Sequence, residues 1–271
     1  MGSDELEFLD IEKPRICHWD ECPRCAELRE REGLSDKRDE FYFVMEKLHQ
    51  MILSRNKKMI MWNDKIDISR DVPLSRDILI QFWRIAAKGR GPYEGCVFEK
   101  FLEKGFTAIN SYYPQTYFDV ESYMSSEKLK KWTPYNIPEQ SGKYTDRVLG
   151  GEACAWEYGN YENYPFYGCV TPPVIATFGD KLWGLGEIDY SKEYKNALAE
   201  FIFGSKDFAE IFTFTGDVIP PRSKSVLTYA DTSEISHEAI TSCIKRLKEN
   251  SQCPVSDKYA ELLTEIAKAV H

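Results

Sequence analysis

Carboxylates and tryptophans recur along the chain directly after short apolar runs, and these residue types have a clear chemical use. The first example is the acidic pair Asp20-Glu21, which closes the run Arg15–Trp19. A carboxyl group beside another carboxylate in aromatic surroundings has its proton affinity raised, which suits a general acid. Indole faces suit the C–H faces of a pyranose ring, and carboxylates accept hydrogen bonds from its hydroxyls. The pattern predicts a saccharide site built from Asp20, Glu21, Trp62, Asp64, Trp83, Tyr117, Asp119, Trp156 and Glu157.

The apolar runs before these residues read as strands of a parallel sheet. They alternate with helical or loop segments, which is typical of βαβ units. In a (β/α) barrel the carboxyl ends of the strands share one face, and that face carries the chemistry. The predicted strands are 15–19, 58–62, 78–83, 106–110 and 148–156.

Helices are predicted between and after these strands. The three- and four-residue spacing of Phe41, Met45 and Leu48 predicts helix within residues 23–54, with Ser35 or Asp36 as a cap. A short helix is expected within residues 94–104, and a helical tail begins near Ser191, with Gly204 as a C-cap and two later helices at 233–250 and 256–270. We expect a polar leader (1–14), a partial barrel (15–190) and a C-terminal helical segment (191–271).

Composition narrows the possible partners. The chain has 271 residues, is 42% hydrophobic and 29% charged, and carries a net charge of −9. A negative charge argues against nucleic acid and anionic membranes, since phosphate neutralisation needs clustered Lys and Arg. No apolar run approaches the length of a membrane span. Because the first residues are polar and acidic, we expect no signal peptide and, by default, a cytoplasm-like compartment.

Several motifs resemble those of the family-20 glycoside hydrolases, the β-N-acetylhexosaminidases. The run Gly150–Tyr158 resembles that family's last-strand motif, and Asp20-Glu21 would be its fourth-strand Asp-Glu pair. Further matches follow the order and spacing of the fifth, sixth and seventh strands and of the stretch after the barrel: Met61–Asp64, Phe82–Arg84, Thr116–Asp119 and Phe178–Trp183.

The resemblance implies hydrolysis of terminal β-linked N-acetylhexosamine, in which the 2-acetamido oxygen of the substrate attacks the anomeric carbon. Asp20 would orient the acetamido group, and Glu21 would protonate the leaving oxygen and then activate water. No metal or organic cofactor is implied. The remaining roles would be a pocket wall from Trp62, Trp83 and Trp156, an acetamido donor from Tyr117, and hydroxyl contacts from Asp119 and Glu157.

The resemblance covers about Cys17 to Trp183, the equivalent of strands four to eight. We therefore expect a TIM-type barrel that is incomplete, with the open sheet edge covered by a missing N-terminal segment or by a second chain. His18 and Trp19 stand where the family has two glycines. This departure leaves open a second interpretation, a carbohydrate-binding relative without turnover.

A cysteine cluster near the start gives a third interpretation. Cys17, His18, Cys22 and Cys25 have the ligand types of a zinc site, which would make the chain a zinc-stapled interaction module. Cys22-x-x-Cys25 alone has the spacing of a redox pair. The simplest alternative is a loop after a strand, with or without a local disulfide.

Overall fold

A computed structural model describes most of the chain, with gaps. The described residues are 19–83, 97–117, 129, 132–135, 137, 140–154, 167–184, 191–214, 236–250, 253 and 255–269; at 167–174, 213–214 and 269 only the backbone is described. The chain divides into two compact units. The first comprises Met1–Tyr113 and Pro134–Glu152, and the second comprises Pro114–Thr133 and Ala153–His271.

The first unit contains a four-stranded parallel sheet in sequence order. Its strands are β1 (Ile60–Trp62), β2 (Leu79–Phe82), β3 (Thr107–Asn110) and β4 (Val148–Gly151). The register aligns Trp62 with Gln81, and Phe82 with Asn110. Parallel neighbours require crossover connections, and consecutive order means that each crossover leads to the adjacent strand. The predicted parallel α/β sheet is therefore confirmed.

One face of this sheet is packed by helices. Alternate residues Met61, Ile80, Phe82 and Ala108 are fully buried, as the two-residue period of a strand requires for a covered face. The ring of Phe82 meets Phe98 of α3 (Phe98–Glu103) edge-on, with centroids 4.9 Å apart. The same core receives Phe41, Tyr42 and Met45 from α2 (Lys37–Leu53).

Two helices precede the sheet, within the predicted 23–54 region. The first, α1 (Pro23–Glu32), ends at Gly33, whose φ of 67° is the left-handed conformation that glycine adopts at a helix C-terminus. The second, α2, begins after Asp36, whose side chain accepts hydrogen bonds from the N–H groups of Arg38 and Asp39. Asp36 is thus the N-cap that the sequence offered.

The second unit is mainly helical in its described part. It contains α4 (Tyr113–Thr116), apart from its first residue, followed by α5 (Tyr167–Gly184), α6 (Lys192–Phe203), α7 (Ile211–Phe214), α8 (His237–Glu249) and α9 (Ser256–Ala269). The last two helices form one core with α6, in which the ring of Phe203 meets Tyr259 edge-on at 4.9 Å. Gly204 ends α6 in the left-handed conformation, as expected. No helix of the described residues is long and apolar enough to cross a membrane.

The predicted strand at 15–19 falls almost wholly outside the described residues, and Trp19 itself lies in a turn. The predicted division at residues 14 and 190 stays a prediction, as does the incompleteness of the barrel.

Candidate active site at the carboxyl edge of the sheet

The polar end of the sheet is formed where its four strands finish. The ladder continues one residue beyond the strands, because the N–H groups of Asn63, Ser111 and Glu152 donate to carbonyls of the neighbouring strand at 3.1, 2.8 and 2.9 Å. We call residues 62–64, 83, 111 and 152 the carboxyl edge. It presents an indole pair, an amide, a hydroxyl and two carboxylates, which are the groups a saccharide site needs.

Trp83 is held at this edge by three hydrogen bonds. Its indole Nε1 donates to Oδ1 of Asp64 at 2.8 Å, and its backbone N–H donates to Oδ1 of Asn63 at 2.9 Å. Its carbonyl accepts from the N–H of Tyr113 at 2.6 Å. Asp64 and Asn63 are 3% and 2% exposed, whereas Trp83 is half-buried. A partly open ring is therefore held by a hydrogen bond to the carboxyl group of a buried aspartate.

Trp62 lies on the other face of the sheet from the buried Met61, because successive strand residues alternate between faces. It is half-buried and is aligned with Gln81 of β2. Trp62, Asp64 and Trp83 therefore lie at the ends of β1 and β2. Their contact with a sugar stays a prediction.

Ser111 and Glu152 were not among the predicted site residues. The Ser111 hydroxyl, fully buried, donates to Oε2 of the exposed Glu152 carboxylate at 3.1 Å. Both residues directly follow a strand, which was the available signal. They place a second carboxylate at the carboxyl edge, two strands away from Trp83.

Asp20 and Glu21 lie in the turn that leads into α1, within the same unit. Both are exposed, and Asp20 accepts a hydrogen bond from Nζ of Lys37 at 2.9 Å. The turn is secured by Trp19, which packs against the core and whose carbonyl lies 3.4 Å from Nη1 of Arg29. The acidic pair is thus carried on a segment attached to both α1 and α2.

A buried ion pair lies under this turn and joins the two helices. Nη1 of Arg29 donates to Oε1 of Glu40 at 2.6 Å, and Glu40 is 1% exposed. Burial raises the pKa of Glu40, the charge of Arg29 opposes this, and the negative charge of Asp20 adds to the rise. The pair therefore couples the position of α1 to that of α2.

The other predicted site residues belong to the second unit or lie outside the described residues. Tyr117 belongs to the second unit, where it is 6% exposed and forms a parallel bridge with Cys154. Asp119, Trp156 and Glu157 lie outside the described residues. Their roles stay predictions.

The zinc interpretation is also untested. Cys22 and Cys25 lie at the start of α1, whereas Cys17 and His18 are outside the described residues. Within the described part of the chain, no three His, Cys, Asp or Glu side chains come together as metal ligands would.

Taken together, the first unit is an α/β structure whose parallel strands carry an aromatic and acidic carboxyl edge, the arrangement found in (β/α) barrel proteins. The sequence model described as "Glycosyl hydrolase family 20, catalytic domain" matches residues 1–165. The chain therefore belongs to glycosyl hydrolase family 20, whose catalytic domain is a TIM-type barrel, and the predicted family is confirmed.

Two curated relatives agree with this assignment. The chain is 30% identical over 202 residues to the β-hexosaminidase subunit β of Mus musculus, a match that covers 72% of this chain. It is 27% identical over 197 residues to the same subunit of Rattus norvegicus, covering 68% of this chain. The chain spans only 33% and 30% of the length of these two relatives.

A similar fold is present in the crystal structure of a β-N-acetylhexosaminidase from Bacteroides fragilis NCTC 9343. The two share a TM-score of 0.51 at 18% identity, over 69% of this chain and 38% of that chain. At this identity the likeness supports the fold.

Proposed function

We propose that the chain is a β-N-acetylhexosaminidase that removes terminal β-linked N-acetylhexosamine from a glycan. The observation that best supports this proposal is the position of Trp83 at the carboxyl edge, where its indole Nε1 donates a hydrogen bond to Oδ1 of Asp64 at 2.8 Å. A half-buried ring that is held by a hydrogen bond offers a preformed platform for a pyranose, so less ordering entropy is lost on binding. Family membership and the names of the relatives support the same substrate class.

The proposed reaction uses the acetamido group of the substrate as the nucleophile. The acetamido oxygen attacks the anomeric carbon as the bond to the leaving oxygen breaks, and Glu21 donates a proton to that oxygen. Glu21 then removes a proton from the water that opens the oxazolinium intermediate. Asp20 orients the acetamido nitrogen and stabilises its developing positive charge. An internal nucleophile held in place supplies a large part of the rate by proximity.

The roles of Trp62, Tyr117, Asp119, Trp156 and Glu157 follow from the family resemblance. Trp62 and Trp156 would complete the pocket wall with Trp83, Tyr117 would donate to the acetamido oxygen, and the two acids would bind ring hydroxyls. Of these residues, only Trp62 lies at the carboxyl edge as defined from the described residues. Trp62 is therefore the first of them to test.

The test is release of a nitrophenol from its N-acetyl-β-glucosaminide, compared with cleavage of chitobiose. Glu21→Gln should lower kcat/KM by about 10²–10⁴ on chitobiose, because its leaving group needs the proton. The loss should be smaller with nitrophenolate, which leaves without one. The matched control Glu30→Gln changes an exposed glutamate of α1 and should retain wild-type rates.

The substrate lacking the acetamido group, a nitrophenyl β-glucoside, should not be cleaved. Equal rates for Glu21→Gln and the wild type on both glucosaminides would refute the role of Glu21. The presence of His18 and Trp19 in place of two glycines favours the second candidate function, saccharide binding without turnover. Saccharide-dependent tryptophan fluorescence with no product release would establish that alternative.

A further inference from the structure

Two thiols stand together at the start of α1, apart from the carboxyl edge. Cys22 is the N-cap of the helix, Pro23 follows it, and Cys25 lies in the first helical turn. Residues three apart on a helix lie on the same side. Both cysteines are free thiols, and both are partly exposed. We propose that Cys22 and Cys25 form a redox-active pair, in which Cys22 attacks low-molecular-weight disulfides and Cys25 resolves the mixed disulfide.

The two thiols have different pKa values at the helix start. The backbone N–H of Cys25, the thiol of Cys25 and the backbone N–H of Arg24 favour the thiolate form of Cys22 and lower its pKa below the ordinary 9.0. Burial, the hydrogen bond to Cys22 and the charge of Glu40 raise the pKa of Cys25 to about 11. Cys22 is also the N-cap, where the N–H groups of the helix start favour a thiolate, so we assign Cys22 as the nucleophile and Cys25 as the resolving thiol.

The buried carboxylate of Glu40, whose charge acts on Cys25, is the proposed acceptor of the Cys25 proton. Glu40 is 1% exposed, and its Oε1 is paired with Arg29. Its Oε2 is buried and has no hydrogen-bond partner among the described residues. Burial also raises the pKa of Glu40, so its carboxylate binds a proton more readily than an exposed one would. The side chain is therefore suited to act as a general base when Cys25 attacks.

The reaction balances with glutathione disulfide as the oxidant. The Cys22 thiolate attacks one sulfur of glutathione disulfide, the bond between its two sulfurs breaks, and one glutathione thiolate leaves. Cys25 then transfers its proton to Glu40 and attacks the Cys22 sulfur, and the second glutathione thiolate leaves. Two protein thiols are oxidised to one disulfide while one glutathione disulfide is reduced to two glutathione thiols. A dithiol reductant reverses both steps.

The first experiment maps the thiols of the full chain by mass spectrometry. The protein is equilibrated in glutathione buffers of graded ratio, quenched with acid, alkylated and digested. Oxidising buffers should produce a Cys22–Cys25 disulfide that a dithiol fully reverses. Cys243 is an internal control, because it is fully buried in α8 and burial raises its pKa to about 11. It should stay unmodified in the same samples.

The second experiment separates the two roles. Cys25→Ser should accumulate a mixed glutathione disulfide at Cys22. In the reduced wild type Cys22 should be alkylated several-fold faster than Cys25. The pKa of Cys22 is lowered and that of Cys25 is raised, so Cys22 has the larger thiolate fraction, and the lower nucleophilicity of the more acidic thiol offsets only part of this advantage. Circular dichroism checks that each serine variant is folded.

The variant Glu40→Gln tests whether the Glu40 carboxylate acts as the general base for Cys25. It should slow the closing of the Cys22 mixed disulfide while leaving the rate of the first attack unchanged, a split that a purely structural role would not produce. If this variant fails to fold, the glutathione titration and the Cys25→Ser trapping still decide the proposal.

Two outcomes would overturn the proposal. One is equal alkylation of both thiols with no internal disulfide at any glutathione ratio. The other is stoichiometric zinc that copurifies with the chain and protects both cysteines until a chelator removes it, which would establish a metal site in place of a redox pair.

Discussion

The indole of Trp83 and the carboxylate of Asp64 form a 2.8 Å hydrogen bond between the ends of β1 and β2. The two residues are 19 positions apart in sequence, and Asp64 is 3% exposed. From the sequence, Trp83 and Asp64 were both predicted to bind the sugar. The structure gives them different roles, because the buried Asp64 carboxyl group holds the Trp83 ring and would affect a ligand through that ring. We expect Trp83 to contact the sugar and Asp64 to position Trp83.

Trp83→Phe keeps an aromatic face but removes the donor to Asp64. The buried acceptor loses one hydrogen bond, so the free energy of unfolding should fall by about 1–3 kcal/mol, and N-acetylglucosamine should bind more weakly. Urea denaturation and fluorescence titration measure the two effects. Trp183→Phe is the matched control, since Trp183 is 95% exposed and should change neither quantity. Unchanged stability in Trp83→Phe would show that the hydrogen bond contributes nothing measurable.

Arg29→Met leaves the buried carboxylate of Glu40 without its ion-pair partner. Glu40 has a raised pKa, so the stability linked to it is fully present below its ordinary pKa of 4.5 and is lost as pH rises through the raised value. The variant should lose about 3 kcal/mol at neutral pH and much less below pH 4.5.

Urea denaturation at several pH values checks this prediction. Arg31→Met is the control, because Arg31 is 67% exposed and pairs only with its neighbour Glu32 among the ion pairs described. The double variant Arg29→Met, Glu40→Leu should recover most of the loss, since it removes the buried charge. A loss that does not depend on pH would contradict the electrostatic explanation.

The lowered pKa of Glu46 predicts a pH dependence of stability opposite in sign to that of Glu40. Burial raises its pKa, but hydrogen bonds from Gln50, the N–H of Ser75 and His49 outweigh this and hold the pKa below the ordinary 4.5. Its stabilisation is therefore complete above pH 4.5 and is lost as pH falls through the lowered value. Glu46→Gln should cost about 1 kcal/mol at neutral pH and progressively less in acid, as thermal unfolding would measure. Glu27→Gln, an exposed change on α1, should leave the profile unaltered.

Asp36→Ala removes the N-cap of α2. The Asp36 carboxylate accepts from the N–H groups of Arg38 and Asp39 at 2.9 and 3.0 Å and pairs with Arg70 at 2.9 Å. The expected loss is about 1–2 kcal/mol by chemical denaturation, with Asp36→Asn losing less because an amide oxygen still caps the helix. Ser35→Ala, next to it and exposed, should be neutral. Equal losses for the alanine and asparagine variants at Asp36 would assign the effect to the ion pair.

The parallel sheet could be predicted because its signals are local. Each strand is a short apolar run ended by a polar or aromatic residue, and Asp36 and Gly204 are cap residues of the usual types at the usual places. The helix α5 gave no such signal, since it contains Pro172 and Pro173, which disfavour a helix interior.

The contacts within the candidate site could not be predicted from the sequence. The bond from Ser111 to Glu152 joins residues 41 positions apart, and the pair of Arg29 and Glu40 joins two separate helices. These contacts depend on strand register and helix packing, which are set by the burial of residues such as Phe82 and Phe41 far from the site. The pattern of residue types identified which side chains to examine, and tertiary packing determined their partners.

The proposed mechanism requires that the acidic pair Asp20-Glu21 and the carboxyl edge bind the same saccharide. The most direct measurement is a crystal structure of the chain with N-acetylglucosamine bound. We expect the sugar ring to stack on Trp83, with the carboxyl groups of Asp20 and Glu21 within hydrogen-bond distance of its acetamido nitrogen and anomeric oxygen. A sugar bound away from Trp83, or bound there with Glu21 turned to solvent, would contradict it.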